Sequence, residues 1–426
     1  MKKDNTHLGR REFLRSGSLG ALGVLFGGTQ ALALDTVVKP KRRERPGQRT
    51  KCAVIGAGVW GREIIAELSR VSGAELVAVC DHHPGALRRI ERESPEVKTV
   101  EDYREVLDDP GIDAVFIATP SHLHREVAVA ALEAGKHVYC EAPLATTIED
   151  ARAIARAAKD AGDTVIFQAG LQSRTEPQHR FVDTFMQTGV CGEMVLARSQ
   201  WRRKESWRRM GATPEREREL NWRLHPESSP GLVGEIGVHH IDVATWFMGA
   251  RPTAVTGFGS LTIWRDGREV PDTVEAVFEF PGGIHYNLSC TLGNSYEGPY
   301  DLFCGGDSAI LVADTRAWMF READAPLLGW EVYAQTERFF RDTGISLMAD
   351  ATQLIDDGVD LEEAEIERET PLFTAIDDFI ECIAEDLKPR AGFREGYEAA
   401  VIAIKANEAV VSGSRIDYSD DWFDLS

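Results

Sequence analysis

Three things are missing from this sequence of 426 residues. It has no Cys-x-x-Cys pair, no excess of basic residues, and past its N-terminal segment no apolar run near the roughly 20 residues that a membrane-spanning helix requires. The 48 Lys and Arg face 69 Asp and Glu, for a formal net charge of −21. That balance argues against nucleic acid or an anionic membrane surface as a partner. The absent Cys-x-x-Cys removes the paired-thiol redox and zinc-ribbon readings. The seven cysteines are odd in number and scattered, and Cys52, Cys80 and Cys140 each fall in a short apolar, β-like run. They read as buried free thiols of a chain that folds in a reducing compartment. What is present is a globular composition, 43% hydrophobic and 27% charged, long enough for two domains with sizeable cores.

The N-terminal segment differs from the rest. Residues 1–33 include "GRREFLRSGSLGALGVLFGGTQALA", with paired Arg10 and Arg11, then Phe13 and Leu14, a weakly apolar stretch, and small residues at Ala31 and Ala33. This resembles a twin-arginine export signal, which carries proteins across a membrane already folded. The expected location is therefore the periplasm or another compartment reached by that route. The thiols agree, since folding would precede export. Residues 34–50, polar, basic and proline-bearing, read as a tether.

Residues 51–173 read as a doubly wound α/β domain. "KCAVIGAGVWGREIIAELSR" is a β-branched run, then Gly56-x-Gly58-x-x-Gly61 with Val59 and Trp60 inside the turn, then a helical pattern. The strand "AELVAVCD" follows and ends in Asp81, twenty residues past Gly61. Strand before, helix after and an acid at that spacing are the dinucleotide fingerprint. The glycines admit the pyrophosphate to the helix N-terminus, and Asp81 reaches the adenosine ribose. A carboxylate there repels a 2′-phosphate, so NAD is expected over NADP. Strands and helices then alternate through "DAVFIATP", "SHLHREVAVAALEAG", "KHVYCEAP", "TIEDARAIARAAKDAG" and "TVIFQAG". Ligands of such sheets bind at the carboxyl ends of the strands. Thr119, Pro120, His124, Glu141 and Gln168 lie at or just beyond those ends and complete the expected cofactor set.

From residue 174 the runs lengthen. "GEMVLARSQW", "TAVTGFGSLTIW", "TVEAVFEF", "IHYNLSCTL" and "SAILVAD" read as antiparallel strands of one open sheet. Two helical stretches close the chain, so residues 174–415 are expected to form an α+β domain whose last helices pack back on the first domain, with 416–426 a tail. In order, "VIGAGVWG", "VFIATPSHLH", "AGKHVYCEAPLA", "GEIGVHHIDVATWFMGARP" and "GFREGYEAAVIAIKANEAVVSG" resemble the Gfo/Idh/MocA family. The resemblance implies a Rossmann domain plus an open-sheet domain, a nicotinamide cofactor, a sugar or polyol substrate and a homo-oligomer. It also implies catalytic residues in a Glu-Lys-Pro turn and an Asp-x-x-x-His segment. Here those are Glu141-Ala142-Pro143 and Glu235-x-x-x-His239, so lysine is replaced by alanine and aspartate by glutamate.

Glu235, His239 and Asp242 recur at i, i+4 and i+7, which puts them on one helix face. A carboxylate there can orient an imidazole, and histidine suits proton transfer near neutral pH. His239 is the expected base, Glu235 its orienting group, and Asp242 a substrate contact. Neighbouring His239 and His240 point about 100° apart on a helix and cannot easily grip one ion, so no metal is expected. Alanine at 142 calls for another cation. Trp201, Trp207 and Trp222 are interleaved with Arg202, Arg203, Lys204, Arg208 and Arg223, a mixture suited to stacking on sugar rings and binding hydroxyls. Lys204 and Arg223 are the expected replacements, with His240 a third, and Trp201, Trp222 and His240 join the substrate set.

An exported enzyme meets no free NAD pool, so the cofactor is expected to travel bound and to be regenerated in place. The expected activity is oxidation of a carbohydrate or polyol CH–OH. The alternatives are a redox-neutral NAD-using glycosidase, lyase or epimerase, and a non-catalytic protein that binds sugar and dinucleotide.

Overall fold

The structure, a computed structural model, describes residues 47, 49–313, 316–331, 334, 336–339, 342–349 and 369–426. The expected export signal over 1–33 and nearly all of the expected tether over 34–50 lie outside the described residues. Among the described residues no helix is long and apolar enough to cross a membrane.

In chain order the first elements are β1 (Thr50–Ile55), α1 (Val59–Leu68), β2 (Ala74–Cys80), α2 (Pro84–Glu93), β3 (Lys98–Val100), α3 (Tyr103–Leu107), β4 (Ala114–Ile117), α4 (His124–Glu133), β5 (His137–Cys140), α5 (Ile148–Ala161) and β6 (Phe167–Ala169). Then follow α6 (Pro177–Met186), β7 (Met194–Arg202), α7 (Pro214–Leu220), a π-helical turn (Val233–Gly237), α8 (Val238–Met248), β8 (Ala254–Ser260), β9 (Thr273–Phe280), β10 (Ile284–Thr291), β11 (Tyr300–Gly305), β12 (Ser308–Ala313), β13 (Arg316–Arg321), β14 (Thr336–Phe339), β15 (Asp342–Leu347), α9 (Pro371–Glu385), α10 (Phe393–Ser412) and β16 (Ile416–Asp417). They divide into two compact units, the larger made of residues up to 176 with Leu196–Asp301 and Glu369–Ser426, the smaller of Pro177–Val195 and the described residues from 302 to 349.

In the larger unit six parallel strands run β3-β2-β1-β4-β5-β6. This is the doubly wound order, with its reversal point between β1 and β4. The run of apolar residues in each strand is explained by burial on both faces, as at Cys52, Val54, Phe116 and Tyr139. One face is covered by α9, whose Leu372, Phe373, Ile376, Phe379 and Ile380 share the core with these strands. Phe379 meets Phe116 edge-on with centroids 5.3 Å apart and Tyr139 at 5.8 Å. All seven cysteines are free thiols, six of them buried.

The larger unit also carries β7-β10-β9-β8-β16. β9 alternates Val274, Ala276, Phe278 and Phe280 inward with Glu275 and Glu279 outward, the pattern of a half-buried strand, and α10 packs on neighbouring β8. One expectation is corrected here: β7 and β10 pair parallel, Leu196 opposite His285 through Arg202 opposite Thr291. The chain between them makes a long excursion through α8, β8 and β9, and a crossover of that length returns a strand in the same direction. The sheet is therefore mixed, though mostly antiparallel. The smaller unit has α6 and antiparallel pairs among β12, β13, β15 and β14, around Val182, Ile310, Met319 and Ile345.

Candidate active site

The glycine turn closes on itself between β1 and α1. A Cβ at Gly61 would come 1.8 Å from the Gly56 carbonyl oxygen, so no other residue fits. At Gly58 a Cβ would meet nothing within 4 Å, and Val59 and Trp60 beside it are exposed. The first turn of α1 has no side-chain cap, so its N–H groups face that open space, as an anion-binding helix start does. Asp81 bends over the turn, its Oδ2 accepting from the Ala57 amide at 2.9 Å and its Oδ1 from the His83 amide at 2.8 Å. Thr119 Oγ1 and Glu141 Oε1, at the ends of β4 and β5, are buried polar atoms with no hydrogen-bond partner among the described residues. Orphaned acceptors of this kind are costly unless a ligand completes them. An open glycine cradle with two unfilled polar atoms fits a dinucleotide.

Two of the expected cofactor residues are otherwise engaged. Gln168 is wholly buried and donates from Nε2 to the Ala375 carbonyl of α9 at 2.9 Å, while its Oε1 has no hydrogen-bond partner among the described residues. His124 places Nδ1 3.0 Å from the Pro143 carbonyl and Nε2 2.9 Å from that of Thr119. It ties together the two strand-end loops, and burial pushes its pKa down to about 4. Pro120 precedes the short 3₁₀ turn Ser121–Leu123 and brings Ser121 into the site.

Glu141 is nearly buried, against Gly170, where a Cβ would lie 2.5 Å from Glu141 Oε2. Burial pushes its carboxyl up to about 7, against the pull of the Trp60 indole N–H, the Ala142 amide and the Arg223 charge. No ammonium at position 142 holds it ionised. The cation that acts on it comes from Arg223, in the 3₁₀ turn Trp222–Leu224.

Arg223 also donates from Nε to Glu235 Oε2 at 3.2 Å. Glu235 lies in the π-helical turn, buried, and its Oε1 accepts from Ser121 Oγ at 3.2 Å and Ser229 Oγ at 3.0 Å. Burial raises its pKa, and Arg223, Ser229 and Ser121 pull it back. The expected bond from Glu235 to His239 does not form. The two hydroxyls and the guanidinium take up the carboxylate instead. A π turn breaks the regular helical repeat on which the shared-face reading depended.

His239, the second residue of α8, is half-buried, and burial lowers its pKa to about 4 with the charge of His240 assisting. His240 goes the other way. Burial alone would lower its pKa, but Asp301, whose Oδ1 lies 2.7 Å from His240 Nδ1, raises it. Asp301 also accepts from Ser199 Oγ. The pKa values of these adjacent imidazoles are thus moved in opposite directions, down at 239 and up at 240. Asp242 does not share this site. It is 1% exposed and takes both Nε and Nη2 of Arg174 at 2.8–3.0 Å.

Lys204 and Trp201 belong to the end of β7. The Lys204 amide donates to Ser295 Oγ at 2.7 Å, and its side chain is exposed, apart from the contacts around Glu141 and Glu235. Trp201 is half-buried opposite Cys290. Trp222 stacks under the Arg223 guanidinium, with Cζ 4.5 Å from its ring centroid. Ser121, Ser229, Arg174 and Asp301 were not singled out from the sequence, since serines and acids far along the chain carry no local signal. The structure also groups His225, Glu227 and Glu269, their ligand atoms within 4.8 Å of one another. The pairs His225–Glu269 and Arg218–Glu227 make them a surface charge network.

Residues 50–169 match the family described as "Oxidoreductase family, NAD-binding Rossmann fold", and residues 179–311 match the "GFO/IDH/MocA C-terminal domain". The chain is 33% identical over 214 residues to scyllo-inositol 2-dehydrogenase (NAD(+)) of Bacillus subtilis, a match covering 50% of this chain and 58% of that protein. It is 33% identical over 251 residues to levoglucosan dehydrogenase of Pseudarthrobacter phenanthrenivorans, covering 54% of this chain and 58% of the relative. The matched region thus spans a little over half of either relative. A solved levoglucosan dehydrogenase, in complex with NADH and levoglucosan, superposes with a TM-score of 0.70 at 22% identity, over 87% of this chain and 99% of that one. Two matches to one family, in chain order and together spanning more than half of the chain, agree with the parallel sheet, the mixed sheet and the glycine cradle: the chain belongs to the GFO/IDH/MocA oxidoreductase family, with an NAD-binding Rossmann fold at its N-terminal side.

Proposed function

We propose that this protein is an exported NAD-dependent oxidoreductase that acts on a CH–OH group of a carbohydrate or polyol and retains its cofactor. The observation that carries the reading is the position of Arg223. Its guanidinium is bonded to buried Glu235 and acts on Glu141 beside Ala142, where the family pattern has lysine. A loss of function by drift would not be expected to supply a cation from elsewhere to the same carboxylates. The matched regions of an inositol dehydrogenase and an anhydrosugar dehydrogenase support the substrate class.

The glycine cradle at 56–61 and Asp81 would hold the dinucleotide, with Thr119 and Glu141 offering their unfilled oxygens. When bound, NAD supplies the acceptor for the hydride leaving the sugar carbon. His239 receives the hydroxyl proton on a ring nitrogen. A pKa near 4 makes it a weak base. The hydroxyl becomes strongly acidic as its carbon loses the hydride, so a weak base suffices; with both gone the oxygen is that of a neutral carbonyl, whose dipole Arg223 can bind. Asp301, beside His240, favours the protonated form of that ring at the same helix end. Export in the folded state supports retention, because no free pool would replace a lost cofactor.

The test is to purify the protein without added cofactor, denature it, and identify any released dinucleotide by mass spectrometry. Absorbance is then followed as inositols, monosaccharides and glycosides are added to the intact protein. Release of NAD(H) and reduction by at least one sugar or polyol is the expected result. An empty protein that binds NADP more tightly than NAD would overturn both the Asp81 and the retention arguments.

A further inference from the structure

The Arg223 side chain leads outward from the buried Glu235 and is itself 45% exposed. Toward solvent it meets a second indole. Its Cζ lies 5.8 Å from the ring centroid of Trp207, against 4.5 Å for Trp222. Trp207 is half-buried, and among the described residues no other ring or cation stacks on it.

The backbone of Trp207 has φ of 63°, in the left-handed region that bulky residues avoid. Glycine or asparagine would adopt it at little cost. The surroundings impose it from both sides. Arg268, a buried guanidinium, pairs with Asp266 at 2.8 Å through two bonds and donates to the Ser206 carbonyl. Beyond the indole, buried Asn221 accepts from the Arg209 amide at 2.7 Å and returns a bond to the Arg209 carbonyl at 2.8 Å. Arg208, between them, donates to the Asp266 carbonyl and to Glu217. A turn held this firmly around an unfavourable residue is organised to present that residue's side chain.

An indole face at the outer edge of a guanidinium suits a ring with one apolar C–H face and a rim of hydroxyls. A pyranose has both. The reacting sugar belongs at the inner end, with Glu141, Arg223 and His239. We infer that Trp207 forms an outer subsite that stacks a second sugar ring, joined glycosidically to the one that reacts, so that the preferred substrate is a glycoside or disaccharide. The inference rests on the proposed carbohydrate reading and names the substrate class within it. Arg268 and Asn221 are positioning residues for the subsite.

Binding calorimetry on the cofactor-loaded protein tests it without requiring turnover. The probes are cellobiose, maltose and methyl glucosides, each compared with glucose. At least one two-ring probe should bind about five- to ten-fold more tightly than glucose, the range expected of one aromatic stack. Trp207→Gly deletes the ring and relieves the left-handed strain. It should abolish that preference, so that no two-ring probe binds more tightly than glucose, and raise Tm with the cofactor retained. Trp207→Tyr should retain most of the preference. A parent protein with no two-ring preference, or a Trp207→Gly variant that keeps it, overturns the subsite. So does a Trp207→Gly variant with lowered Tm and lost cofactor, since the indole would then be structural. Reduction of bound NAD is scored separately. A two-ring preference without reduction by any probe defeats the oxidoreductase reading alone, and reduction without the preference defeats the subsite alone.

Discussion

Replacing Glu141 with glutamine isolates the consequence of the missing lysine. The carboxyl is 7% exposed, and its pKa rises from 4.5 to about 7 because burial outweighs the pull of Trp60, Ala142 and Arg223. In the folded state the group therefore keeps its proton over a range where the unfolded chain has already released it. The stability linked to that proton is fully present below pH 4.5 and is lost as pH rises through about 7. A shift of this size corresponds to about 3 kcal/mol once both states are ionised, and to about 1 kcal/mol or less near pH 5. Glu141→Gln has the same shape and no charge to desolvate, so it escapes the loss. With the cofactor stripped, its stability relative to the parent should improve by about 2–3 kcal/mol between pH 5 and pH 8.5. Thermal unfolding at the two pH values measures this. Infrared difference spectroscopy gives the direct check, a protonated-carboxyl band that titrates near neutrality in the parent and is missing in the variant. Parallel pH profiles, with no such band in the parent, would refute the assignment of a neutral buried acid.

The other expectations follow from the same site. His239→Ala should lower the rate of sugar-dependent NAD reduction by about 10²–10⁴-fold with cofactor content intact. In the parent the acid limb of the pH–rate profile should lie near pH 4, because His239 accepts a proton only above its lowered pKa, and a limb near pH 6.5 would contradict the burial argument. Ala142→Lys should reduce single-turnover NAD reduction, since two cations would then compete for one set of carboxylates, whereas a gain would mean that Arg223 had not taken over the role. Arg223→Ala should abolish reduction and lower stability by about 1–2 kcal/mol, a figure reduced for its partial exposure, by leaving Glu235 buried without its cation. Asp301→Asn should lower the His240 pKa, which histidine NMR titration reads directly, and an unchanged value would remove His240 as a cation.

The first sheet was legible because its signals are local. A β-branched run, a glycine turn and a helical pattern sit within twenty residues of one another, and Asp81 follows at a fixed interval. The strand order comes from repeating that unit under right-handed crossovers. The same locality failed at β7 and β10, because strand direction depends on the path of some eighty intervening residues, not on the composition of either strand. It failed again at Glu235, where an i, i+4 pattern assumes a regular helix and the chain instead makes a π turn.

Sequence by itself determined the family's architecture, the dinucleotide turn, the absence of lysine at position 142 and a short set of cations able to replace it. Only the tertiary structure distinguished among those cations. Along the chain Lys204 and Arg223 stand together with His240 third, since charge and residue type say nothing of which carboxylate each one reaches. The fold directs Arg223 to Glu235, gives His240 a carboxylate sixty-one residues away, and leaves Lys204 exposed at a strand end. It also binds Asp242 to Arg174 and ties Gln168 Nε2 to the Ala375 carbonyl, partners that nothing in the local sequence marks. Burial decided the protonation states as well. Adjacent histidines of one chemical type have their pKa values moved in opposite directions, and a glutamate without its lysine has its raised, because desolvation and partner distance are properties of the packed chain.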